Sequence, residues 1–127
     1  MSTISRRFRR LLTVELESLR EELEILVEHQ NRRLANHEIT EYVRNSNVST
    51  LQNEIMGLED FLREECCLEL DEDSDLWEMA EAVRWALRRY AITHDLVPAL
   101  FEVVNLRIEK IVGYLQTEHI QPVAKHL

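Results

Sequence analysis

The chain reads as an all-α protein, an antiparallel four-helix bundle with a long N-terminal helix. Three observations predict that class. Only two glycines (Gly57, Gly113) and two prolines (Pro98, Pro122) interrupt 127 residues, whereas a β-rich fold of this size needs many turn residues to reverse its strands. Apolar residues recur at alternating steps of four and three in separate stretches, the spacing that lines one side of a helix. Hydrophobic residues make up 45% of the chain, enough for one core at this length, so a single helical domain is expected over residues 1–127.

The first helix is expected from about residue 5 to 34. Leu12, Leu16, Leu19, Leu23 and Leu26 form its stripe, the seam of helix-on-helix packing. Glu15, Glu17, Arg20, Glu21, Glu22, Glu24 and Glu28 make the rest of the cylinder charged, so the stripe requires a partner helix. Gln30 and Arg33 take the next stripe positions, and Asn31 and Asn36 supply turn and cap chemistry.

Residues 37–65 form a second helical region in which Leu51, Ile55, Leu58 and Leu62 repeat the same spacing. Ile39, Tyr42 and Val43 lie upstream in a different phase. The shift coincides with the turn formers at 45–49, and Ser49 with Gln52 has the spacing of a capping box. Two layouts are therefore open. A reversal near Asn36 makes helices one and two a long, coiled-coil-like hairpin; a reversal near Asn47 extends the first helix to about Arg44 and shortens the second.

Residues 66–75 read as an acidic connection ended by an N-cap at Asp75, with Glu78 three residues on. A third helix over about 75–93 buries Met79, Ala80, Val83, Ala86, Leu87 and Tyr90, with Trp77 and Trp85 elsewhere on its circumference. Thr93, His94 and Asp95 offer a stop and a new cap. A fourth helix follows over about 95–116, with Pro98 in its first turn, where the missing amide hydrogen is not needed. Leu100, Val104, Ile108, Ile111 and Leu115 are its stripe. Residues 117–127, containing Pro122, are expected to be a short irregular tail.

Charge narrows the partners. The net charge is −9, and residues 37–78 hold 2 basic and 13 acidic groups, while the flanking thirds are nearly balanced. Such a surface repels a phosphate backbone, so nucleic-acid binding is not expected, except locally through the N-terminal arginines. No apolar stretch approaches the roughly 20 residues that span a bilayer, and no secretory signal opens the chain, so a cytoplasmic protein is expected.

Catalytic and cofactor motifs are absent from the sequence. The Glu-x-x-His pair of carboxylate-bridged metal bundles does not occur before His29, His37, His94, His119 or His126, and the nearest alternative, His37 with Glu41, falls at a helix start. No metal or other cofactor is therefore expected. Cys66 and Cys67 are adjacent, a strained arrangement for a bridge and one without the spacer of redox-active pairs; two reduced thiols are the reading. Two distant glycines cannot form a phosphate-cradling loop.

What remains are residues suited to docking. Arg6, Arg7, Phe8, Arg9 and Arg10 open the first helix, where four cations oppose the helix dipole. Three readings compete: the acidic residues Glu64, Glu65 and the following connection neutralise them across the hairpin; they meet an acidic partner or a membrane surface, with Phe8, Leu11 and Leu12 as anchors; or the acid-free first fourteen residues are a transit peptide. Trp77 and Trp85, eight residues apart, lie within about 80° on a helix and suit one interface patch. The competing reading has them filling the ends of the core.

These features point to a non-catalytic protein-interaction module: an adaptor, a small chaperone-like protein or a self-associating homodimer. Size, acidity and helicity are similar to those of small acidic helical secretion chaperones, with no motif behind a family assignment. The alternative is a bundle enzyme or ligand carrier with an internal pocket, which a polar, water-accessible cavity would favour.

Overall fold

In the computed structural model, which describes residues 3–65, 74–94 and 98–124, four helices follow in order: α1 (Thr3–Ala35), α2 (Glu41–Glu65), α3 (Leu76–His94) and α4 (Pro98–Ala124). No strand occurs among the described residues. They pack as an antiparallel bundle, with α1 lying most extensively on α2, and α4 against both α1 and α3.

The first reversal lies at Asn36, and local hydrogen bonding explains why. The amide of Glu38 donates to the carbonyl of Arg33 (2.9 Å) and that of His37 to Leu34 (3.0 Å). This crossed pair closes a helix over one left-handed residue, here His37 at φ 60°. Thr40 then caps α2: its hydroxyl accepts from the Val43 amide at 3.2 Å, and its carbonyl from the Arg44 amide at 3.0 Å. The second helix consequently begins at Glu41, four residues later than the spacing predicts.

Residues 45–49 stay inside α2 without a break, so Ser49 does not start a helix. Asn47 and the flanking Arg44 and Thr50 have partners of their own. Asn47 donates to Gln30 Oε1 (2.9 Å), Arg44 donates from Nε to Asn31 Oδ1 (2.8 Å), and the Thr50 hydroxyl donates back to the Ser46 carbonyl (3.2 Å). Engaged across the hairpin, the Asn47 amide does not compete for the backbone ladder of its own helix.

The core draws on all four helices. Phe8, Leu12, Leu16, Leu19 and Leu23 of α1 meet Leu58 and Phe61 of α2, Met79, Ala80, Val83, Leu87 and Tyr90 of α3, and all five stripe residues of α4. Leu26 is 45% exposed, so the leucine stripe of α1 outruns the core, and the hairpin continues on the polar pairs above. Leu51, Ile55 and Leu62 are half-buried at its edge. Phe61 meets Tyr90 edge-on with ring centroids 5.9 Å apart, a favoured aromatic geometry. His94 stacks on the other side of Tyr90 at 3.8 Å.

An ion-pair clamp fixes α4 against α1. Arg107 donates to Glu15 (2.9 Å) and to Glu22 (2.6 Å), while Lys110 reaches the second oxygen of Glu15 (2.9 Å). Burial alone would raise the Glu15 carboxyl, but the hydrogen bonds from Lys110 and Arg107 outweigh it and hold the group below its ordinary range.

At the other boundaries, Asp75 caps α3 as its sequence indicates, accepting from the Glu78 amide at 2.8 Å. The fourth helix begins at Pro98 and does not stop near residue 116. It continues to Ala124, where an irregular tail is the sequence expectation. The Thr117 hydroxyl donates back to the Gly113 carbonyl (2.9 Å) and so adds no break. Pro122 falls in the last turn, where its missing amide removes one bond beside groups that the helix end leaves free anyway. The acidic connection with Cys66 and Cys67, the cap expected at Asp95 and the last three residues lie outside the described residues.

Candidate interaction surface

Helix α3 has two unlike sides. Its buried face is filled by Met79, Ala80, Val83, Leu87 and Tyr90. At 100° per residue, Trp77, Glu81, Arg84, Trp85, Arg88 and Ile92 fall within about 100° of one another on the opposite side. Trp77 is 64% exposed, Trp85 59% and Ile92 77%. Both tryptophans therefore stand on the surface, and the reading that placed them at the ends of the core is corrected. The reason is their phase, since the buried arc of α3 is already occupied by five other side chains.

Two arginines brace this face. Arg84, only 13% exposed, donates to Asn105 of α4 (2.5 Å) and to Glu81 (2.8 Å), approaches Glu109 at 4.0 Å, and lies over the Trp77 ring at 5.7 Å. Arg88 lies over Phe101 of α4 at 5.6 Å. Cation–ring contacts of this kind add modestly to stability, and Arg84 supplies one to the exposed Trp77 ring. On α4, Leu106 is 64% exposed.

The N-terminal set divides. Arg6 and Arg10 are exposed, and Arg7 and Arg9 are half-buried. Neighbouring groups engage Arg6, Arg7 and Arg9. Phe8 is completely buried and Leu12 nearly so, with Leu11 packed against the core. Phe8 therefore belongs to the core and is corrected as a docking anchor, because its position four residues before Leu12 puts it on the buried stripe. The side chains of Glu64 and Glu65 and the acidic connection lie outside the described residues, so their pairing with these arginines does too.

Sequence reasoning overlooked Arg84, Arg88 and Ile92 as members of the surface. A signal was present: Trp77, Glu81, Arg84 and Arg88 follow the same four-three-four spacing as the core stripes, on the opposite arc. Other candidate chemistry is thin. Among the described residues, no group of three His, Cys, Asp or Glu side chains could hold a metal ion. A shallow open depression of about 420 Å³ borders Ser49, Thr50, Gln52, Asn53 and Met56, all on α2. No helix among the described residues is long and apolar enough to cross a membrane.

Fold and surface together define an antiparallel all-α bundle that carries an exposed tryptophan–arginine face. No family model, no curated protein and no solved structure matches the chain.

Proposed function

We propose that this chain is a non-catalytic helical protein-interaction module whose docking surface is the outer face of α3. One observation carries the reading: two tryptophans and an isoleucine are exposed on a single face of a bundle whose own core is already filled. Tryptophan and arginine dominate binding energy at protein interfaces, and contiguous exposed apolar side chains on a folded domain mark contact sites. Among the described residues the buried set is apolar except for Ser5, which favours packing over a reaction chamber in the bundle interior. A cytoplasmic setting is part of the proposal.

A second docking arm through Arg6 and Arg10, toward an acidic protein or an anionic membrane surface, is favoured by their exposure. It proceeds without Phe8. The test compares partners recovered from native cells by the wild-type chain, by Trp77→Ala/Trp85→Ala, and by a variant with Arg6, Arg7, Arg9 and Arg10 changed to glutamine. Helicity is checked for each. Loss of a partner with the tryptophan variant is expected, recovery unchanged by it would overturn the reading, and loss with the glutamine variant would assign that partner to the second arm.

A further inference from the structure

We infer that the outer face of α3 binds the same face of a second copy of this chain, with the two helices antiparallel about a two-fold axis midway between Arg84 and Trp85. This names the partner for the interaction-module reading and rests on it.

The inference comes from the order of side chains along the face. Trp77, Glu81, Arg84, Trp85, Arg88 and Ile92 are placed symmetrically about the point between Arg84 and Trp85. In the antiparallel arrangement Trp77 meets Ile92 of the second copy and Glu81 meets Arg88, while Trp85 lies on one flank of the axis and the part-buried Arg84 on the other. Both pairs are complementary: apolar with apolar and acid with base. Each pair also occurs twice, as an isologous two-fold contact requires. A parallel arrangement of the same helices sets Glu81 against Glu81 and Arg88 against Arg88 near the centre of the face, and so repels itself. The charge order therefore selects both the partner and its direction.

The side chains are prepared for this contact. Arg84, itself held by Asn105, bonds Glu81, so the Glu81 side chain loses little freedom on binding. Glu81 is half exposed and keeps acceptor positions beyond those used by Arg84, so it can receive Arg88 without giving up its bond within the chain. Trp85 lies beside the axis, where each copy covers the other's ring. The face is one helix wide and about 22 Å long from Trp77 to Ile92. That is smaller than the ~800 Å² per partner of a standard stable interface, so the association is of the micromolar class. A net charge of −9 on each copy makes salt strengthen the dimer at low ionic strength by screening general repulsion.

Sedimentation equilibrium of the full chain tests this up to ~200 µM, where a micromolar complex is well populated. Glu81→Arg and Arg88→Glu, made singly, place like charges in both symmetric contacts and are expected to weaken the dimer by about tenfold or more. The double variant Glu81→Arg/Arg88→Glu restores opposite charges and should return the affinity to within about threefold of wild type, a reciprocal rescue that fold damage cannot mimic. A thermal melt of every variant separates dissociation from unfolding.

A wild-type chain that stays monomeric over this range overturns the inference, as does a dimer indifferent to the single changes or a double variant that does not recover. If the chain is monomeric and the tryptophan variant still loses a native partner, the module reading stands and only self-association falls. If neither effect is seen, both fall.

Discussion

Replacing Phe8 by alanine separates the two roles its position allows. The side chain is fully buried among the core residues of the bundle, so truncation removes its transfer free energy and leaves a cavity. Substitutions of this kind cost about 3–5 kcal/mol. The entropy of unfolding for 127 residues, at about 2.1 cal/mol/K per residue, is roughly 0.27 kcal/mol/K. The melting temperature should therefore fall by about 11–18 °C. Urea denaturation followed by far-UV circular dichroism measures the loss directly, and an unchanged slope confirms that the same surface is exposed in both proteins. Arg10→Gln, two residues away and exposed, serves as the control and should stay within about 0.5 kcal/mol of wild type. If Phe8→Ala also stays within about 0.5 kcal/mol, the ring is not part of the core and the packing of α1 described above is wrong.

Two further outcomes test the helices and the clamp. A Cβ added at Gly113, in the interior of α4, would meet nothing within 4 Å, so Gly113→Ala should stabilise the protein by about 0.5–1 kcal/mol in the same urea titration, and a destabilised variant would show that the position is not open. Glu15→Gln removes the carboxylate shared by Arg107 and Lys110 and should cost about 1 kcal/mol at pH 7 after solvent screening. Because the Glu15 carboxyl titrates below its ordinary 4.5 in the folded state, its contribution is fully present above that value and is lost as pH falls through the depressed one. The gap between wild type and variant should thus close in acid. A gap of the same size at pH 7 and at about pH 3 would show that the clamp carries no charge-dependent stability. Glu54 acts in the opposite sense, since burial raises its carboxyl and favours the protonated form as pH falls.

Sequence spacing located the four helices because each stripe is a local property: every stripe residue of α4 is buried, and the α1 leucines from 12 to 23 are too. The same reasoning left residues 45–49 open. Asn and Ser compete for backbone bonds wherever no other partner is near, and the partner that engages Asn47, Gln30, stands on a different helix. Trp77 and Trp85 posed the converse problem. Their spacing set them on one arc of α3, but whether that arc faced α4, the core or solvent depended on how five neighbouring side chains filled the interior.

By itself, then, the sequence determined that this chain is helical, how its apolar faces are phased and that its N-terminus carries arginines where a helix prefers acids, because periodicity, turn content and charge are read residue by residue. Only the tertiary structure decided that the chain reverses at Asn36, that Phe8 faces inward and that the tryptophans face outward. Those outcomes turn on which helix each face meets, and that is set by packing between residues far apart in the chain.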